Sequence, residues 1–342
     1  MKKVTLGRTG LKVSRVGMGG IPITRPQEDE AIKIIQRAHH LGINFFDTAT
    51  GYGRGSSEKR IGAALKDHRD NVIIATKTAS MDENGASRDL KRSLRQLDTN
   101  YIDLWQLGNV TTYTKYKRMQ QFDGALKSAE KALREGKVRH IGMSTHNLTI
   151  AIEAVSSGMF ETIQFPFNLI ADEAANELIP LAKEHDVGFI ASKSFAAGNI
   201  ENANLAIKFL LQFDNVVPDP GIQSINELEE IINIVNRELG LTVQEKQALE
   251  EIHDKMYSRF CRHCEECMPC PKAVHIPQLL YIISAYKLRS SESFKKGVEP
   301  DLKSWDKCDL CGDCEERCPF NLPIREMIKK NVDFFNKVRR DG

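Results

Sequence analysis

Apolar residues in the first 240 positions follow two alternating rhythms. Eight short runs rich in Val, Ile and Phe cover residues 15–19, 44–48, 72–77, 102–107, 140–144, 162–165, 188–193 and 215–219. Between and after them lie longer segments whose apolar residues return every three or four positions: 29–41, 57–67, 86–97, 122–135, 147–156, 173–185, 202–212 and 224–237. A short β-branched run reads as a strand, and a three-to-four spacing reads as an amphipathic helix. Eight strand–helix units over this length predict an α/β fold, a (β/α)8 TIM barrel rather than an open sheet. Ahead of the first unit, residues 4–13 read as a β-hairpin that turns between Gly7 and Gly10. The barrel is therefore expected over residues 1–240.

Beyond residue 240 the pattern changes. Residues 241–258 read as a helical connection and residues 259–342 as a second domain. All eight cysteines fall in that domain, in two runs: Cys261, Cys264, Cys267 and Cys270, then Cys308, Cys311, Cys314 and Cys318. Disulfides are disfavoured, because the opening residues lack the apolar region of a secretory signal and reduced thiols are the rule in the cytosol. Two zinc sites could use eight thiolates, but zinc usually takes two close pairs. Three cysteines at two-residue spacing, then a fourth followed by Pro271 or Pro319, form instead the bacterial 4Fe–4S signature. Helical spacing at 276–287 and 323–330 makes this end resemble an α-helical ferredoxin-like domain with two clusters. In two-cluster ferredoxins the last cysteine of each run serves the other cluster. That resemblance implies one cluster on Cys261, Cys264, Cys267 and Cys318, and a second on Cys308, Cys311, Cys314 and Cys270.

Composition narrows the partners. With 48 basic and 46 acidic residues the formal charge is only +2, too small for a strong pull on nucleic acid or an anionic membrane. No apolar run nears the roughly 18 residues that span a bilayer. A soluble, cytoplasmic protein is expected.

Three polar residues mark the chemistry. Barrel enzymes carry catalytic groups at the C-terminal ends of their strands. Asp47 ends the second run, Tyr52 follows five positions later, and Lys77 ends the third. Each has a plain structural reading, as a buried ion pair and a loop aromatic. Together at one barrel mouth they make a proton-transfer set. A phenol ordinarily titrating near 10 becomes a better acid when a cation lowers its pKa. Lys77 is expected to supply that cation and Asp47 to orient it.

The stretch Asp47-Thr-Ala-Thr-Gly-Tyr52-Gly, continued by Ser57-Glu58 to Leu65, resembles the aldo/keto reductase signature. The opening hairpin, Ala75-Thr-Lys77, the 101–107 and 141–144 stretches, Gln164 and residues 220–224 add to the resemblance. The cysteine-rich end matches the branch of that family with C-terminal iron–sulfur clusters. The resemblance implies an oxidoreductase with NAD(P)(H) extended across the barrel mouth and a small carbonyl or alcohol substrate. Tyr52 would donate the proton, tuned by Lys77 and Asp47. Ser144 and Gln164 match positions that hold the carboxamide. Gly221, Gln223, Ser224 and Glu230 fall in the loop and helix start that hold the adenosine and its phosphate.

The chain also departs from the family. Where its reductases usually carry His, this chain has Gly108, a position expected to leave a vacant volume for a larger substrate, a water or a second cofactor. Strand alternation points Asn109 away, and His146 reads as a solvent-facing loop residue. Glu227 stands where many members have a base for the 2′-phosphate, and Ile231 where Asn commonly meets adenine. Hydride transfer moves two electrons whereas each cluster exchanges one, so coupling calls for a flavin or a redox partner protein. A scaffold reading therefore stands beside the enzyme: a barrel without hydride chemistry that carries an electron-transfer tail.

Overall fold

The computed structural model describes residues 1–237, 240–289 and 291–341. Two antiparallel strands, β1 (Lys3–Thr5) and β2 (Lys12–Ser14), form the expected hairpin around a 3-10 turn at Gly7–Thr9. Each of the eight apolar runs then supplies one parallel strand. These are β3 (Met18–Gly19), β4 (Phe45–Asp47), β5 (Ile73–Thr78), β6 (Ile102–Leu107), β7 (Val138–Ser144), β8 (Thr162–Pro166), β9 (Gly188–Ser192) and β10 (Val216–Pro218). They neighbour one another in chain order. The sheet closes where Gly17 N donates to Pro218 O at 2.7 Å and Gly19 N to Pro220 O at 2.8 Å.

Strand alternation explains the two ends of the barrel. Phe45, Ile73, Ala75, Leu104, Ile190 and Val217 pack inside it with Leu6 and Val13 of the hairpin, which forms an apolar plug. Arg8 fixes this end by donating to His185 O (3.1 Å), Gly158 O (3.0 Å) and Phe160 O (2.6 Å). Side chains repeat on one face every two residues. Two positions further on from Phe45, Ala75, Leu104 and Val217 stand Asp47, Lys77, Gln106 and Asp219, all buried and all polar. One apolar layer below and one polar layer above thus follow from the same pleat.

One helical expectation needs correction and one helix goes unannounced in the sequence. Residues 173–185 divide into a 3-10 turn at Glu173–Ala175 and a helix at Leu178–Glu184. Pro180 lies in the first turn of that helix, where a missing N–H leaves nothing unbonded. The helix Tyr113–Met119 was not legible, because only Tyr116 and Met119 of its seven residues are buried.

The tail begins with the helix Val243–Met256, started by a capping box between Thr242 and Glu245. Its Ala248, Leu249, Ile252 and Met256 pack on Ile170, Leu205 and Ala206 of the barrel. Helices Ile276–Leu280, Ile282–Leu288, Ser291–Trp305, Asp313–Glu316 and Ile324–Asp341 follow. Their core combines Leu279, Ile282, Phe294, Ile328 and Phe335 with Cys267 and Cys318. Arg262 ties tail to barrel: buried, it donates to Glu173 Oε1 (2.7 Å), Ile170 O (2.9 Å) and Phe260 O (2.6 Å). Lys287 Nζ reaches Gly198 O at 2.7 Å, and Asn147 Nδ2 reaches Glu266 Oε1 at 2.6 Å. The tail therefore lies over the C-terminal mouth of the barrel.

Candidate active site and cluster sites

At the barrel mouth Lys77 Nζ lies 2.5 Å from Asp47 Oδ2 and 2.8 Å from Thr48 O. The ammonium also lies 5.1 Å from the centroid of the Tyr52 ring. Gln106 Nε2 donates to Asp47 Oδ1 at 3.1 Å, and Gln164 Nε2 to Asp219 Oδ2 at 2.8 Å. Burial opposes the charge on Lys77, yet the Asp47 carboxylate outweighs it and holds the ammonium above its ordinary range. Burial and the like charge of Asp47 push Asp219 well above the usual carboxylate range.

The Tyr52 phenol behaves otherwise than the sequence suggests. Burial pushes it up to about 12, although Lys77 pulls it down, and Asp47 and Asp219 add to the rise. The physical reason is burial, which penalises the phenolate more than the Lys77 ammonium favours it. Asp47, paired with that ammonium at 2.5 Å, offsets part of the lysine's pull. Tyr52 is a group that keeps its proton.

Asp47, Tyr52, Lys77, Gln164 and Asp219 border one cavity of about 670 Å³, within the usual size range of ligand pockets. Ser144, Gly221, Gln223 and Glu230 border it as well. Ser224 is not among its lining residues; its side chain accepts from Glu227 N at 3.2 Å and caps the helix Ile225–Val235. Ser144 and Gln164 face each other across β7 and β8. Gln106 Oε1 and Asp219 Oδ1 nearby are buried without a hydrogen-bond partner. Ser144, Gln164 and Asp219, which border the cavity, give it a polar floor that suits a planar group like a carboxamide. Glu227 accepts from Gln223 N at 2.9 Å and Gln223 Nε2 at 3.3 Å, and with Glu230 it places carboxylates along that side of the cavity.

Gly108 does not leave the expected vacancy. A Cβ placed on it would meet Ser144 Cβ at 2.8 Å, so the serine already fills that space. Asn109 is exposed and borders the cavity, because β6 ends at Leu107 and strand alternation no longer applies. His146 does not face solvent. It borders the cavity with its Nδ1 buried and unpartnered, and burial holds it well below the usual histidine range. Gln106 and Asp219 escaped notice in the sequence. Their only signal was a polar residue at an inward position of an otherwise apolar strand or strand end.

The cysteines gather into two sets. Cys261, Cys264, Cys267 and Cys318 line one small space. Cys270, Cys308, Cys311 and Cys314 line another. All eight are free thiols. Among the described residues no three metal-binding side chains converge closely enough for a single ion. A cubane takes one thiolate at each iron corner, which suits the wider spacing. Burial and neighbouring thiols push Cys267 up to about 12, so neutral pH alone does not ionise it.

Comparison with known proteins agrees with both halves. Residues 260–323 match a 4Fe-4S dicluster domain. The uncharacterized oxidoreductase YqkF of Bacillus subtilis (strain 168) is 30% identical over 210 residues, which are 58% of this chain and 66% of that protein. The match thus spans slightly less than two thirds of that relative. In structure, the holo form of aldo-keto reductase AKR11C1 from Bacillus halodurans has a TM-score of 0.63 at 24% identity, covering 74% of this chain and 96% of its own. An aldo/keto reductase from Klebsiella pneumoniae in complex with NADP and acetate has a TM-score of 0.60 at 20% identity, covering 74% and 95%. These likenesses show the barrel fold. The flavin weighed from the sequence gains no support from these comparisons. No described helix is long and apolar enough to cross a membrane. Residues 15–205, more than half of the sequence, match the aldo/keto reductase family, and the chain belongs to that family.

Proposed function

We propose that the protein is a nicotinamide-dependent oxidoreductase that interconverts a small carbonyl compound and its alcohol at Tyr52. The observation that carries this reading is the buried Lys77–Asp47 pair beneath the Tyr52 ring, at the cavity floor. Tyr52 gives its proton to the carbonyl oxygen, and Lys77 and Asp47 orient the phenol. The dinucleotide supplies the hydride when bound. Ser144 and Gln164 hold its carboxamide, while Gly221, Gln223 and Glu230 line its adenosine half. Ser224 orders that loop by capping the following helix. Glu227 and Glu230 favour NAD(H) over NADP(H), since carboxylates repel a 2′-phosphate. With no histidine at 108 one carbonyl-polarising donor is missing, an absence that slows related chemistry by about 10²–10³-fold.

In this reading residues 1–240 form the barrel, 241–258 the connection and 259–342 the cluster domain. Cys261, Cys264, Cys267 and Cys318 hold one 4Fe–4S cluster, and Cys270, Cys308, Cys311 and Cys314 the other. The hydride step moves an electron pair and draws none from a one-electron cluster; the clusters organise the domain whose His263, Tyr281 and Leu288 build one wall of the cavity. Eight cysteines that bind iron as thiolates suit the reducing cytoplasm.

Tyr52→Phe tests the assignment. Reduction of small aldehydes and ketones with NADH should fall by about 10²–10⁴-fold, while NADH binding, followed by fluorescence, stays unchanged. Retained turnover overturns it. If the unaltered protein binds neither NADH nor NADPH, the scaffold reading replaces it.

A further inference from the structure

Lys193 follows the last residue of β9 and borders the cavity. Its backbone is held by the barrel, where Asn168 Nδ2 donates to Lys193 O at 3.0 Å. Its ammonium has no hydrogen-bond or ion-pair partner among the described residues. What surrounds it belongs largely to the tail. Nζ lies 5.9 Å from the centroid of the Tyr281 ring, and the Tyr281 and His263 rings meet edge-on at 5.1 Å. His263 borders both the cavity and the small space lined by Cys261, Cys264, Cys267 and Cys318. Lys193 is half-buried at the cavity's edge, and a cation partly withdrawn from water without a counter-charge carries a cost. The cavity that Lys193 borders and the space lined by these cysteines share His263, Glu265 and Pro277, so the ammonium lies on the cluster's side of the barrel mouth.

Resting on the cluster assignment above, we propose that Lys193 is the counter-ion of the first cluster, supplied by the barrel to a group held in the other domain. A 4Fe–4S centre with four thiolates is anionic, and each added electron makes it more so. Nearby positive charge and N–H donors stabilise the reduced state and raise the reduction potential. Lys193 supplies the charge. The backbone N–H of His263 supplies a donor, 3.4 Å from Cys261 Sγ. Because the same ammonium borders the cavity, an anion bound there and the cluster share one cation. Reducing the cluster then weakens anion binding, and an anion in the cavity lowers the potential by the reciprocal amount.

The experiment is an anaerobic redox titration of the full-length holoprotein, followed by electron paramagnetic resonance and paired with iron analysis. Two centres with two potentials are expected in the unaltered chain. Lys193→Gln should move one potential to a more negative value and leave the other in place. Lys193→Arg, which keeps the charge, should leave both near their original values. Loss of one cluster in Lys193→Gln with retention in Lys193→Arg supports the same role. Unchanged potentials in Lys193→Gln, equal shifts of both centres, or loss of the cluster in both variants overturn it. A chain purified with sulfide and iron that shows no cluster signal defeats the cluster assignment itself, a distinct outcome.

Discussion

A Cβ on Gly108 would sit 2.8 Å from Ser144 Cβ, nearer than side-chain carbons of neighbouring strands pack. The glycine on β6's end and the serine on β7's end are a matched pair. Gly108→His should therefore not restore a missing catalytic donor. It should overpack the mouth and destabilise the barrel by about 1–3 kcal/mol, read by denaturant unfolding. Aldehyde turnover should stay level or fall; a rise would show that the serine yields.

The high pKa of Tyr52 sets a directional pH dependence. At neutral pH the phenol is protonated, held at about 12 by burial against Lys77, with Asp47 and Asp219 adding to the rise. Carbonyl reduction uses the acid form, so its rate should be level from about pH 6 to 9. Alcohol oxidation uses the phenolate and should climb about tenfold per pH unit across that range. Initial rates in both directions test this. A reduction rate that falls across neutrality would assign the proton to another group.

Asp47→Ala should destabilise the protein by about 3–5 kcal/mol, because it leaves the Lys77 ammonium buried without a partner. Asp47→Ala/Lys77→Met removes both charges and should recover part of that loss. Chemical denaturation of the three chains measures the difference. Equal stability of single and double variants would mean that the pair interacts weakly.

Arg262 should prove the anchor of the tail. Its side chain is 4% exposed and Glu173 opposite it 17%, so Arg262→Ala strands a carboxylate. Docking of the tail should weaken by about 3–5 kcal/mol. Limited proteolysis should then cut within residues 243–260 sooner, with the barrel fragment still resistant. Unchanged cutting would place the anchor elsewhere, in the apolar contact of Ile252 and Met256.

The barrel was legible because strands and helices differ in period, and eight changes of period leave little choice of architecture. The cysteine sets were legible because their spacing is chemistry. Asp47, Tyr52 and Lys77 carry a recognisable motif. Gln106 and Asp219 carry none: each joined the site through strand register, which pairs Lys77 with Gln106 and brings β10 beside β3 at closure. His146 misled because a histidine after a strand is commonly wet, and only the tail folding across the mouth covers it. The sequence order of Tyr52 and Lys77 likewise says nothing of how deeply the phenol is buried, and burial outweighs the lysine's pull.

The cavity is enclosed by two pieces of chain with different needs. Its floor comes from the barrel, which folds from its own apolar layers. Its far wall, with His263, Tyr281 and Leu288, belongs to a domain organised around eight thiols. A chain starved of iron would keep its acid and lose the room that sorts its substrates. In such a protein the metal supply governs selectivity rather than the existence of catalysis, and maturation becomes part of substrate recognition.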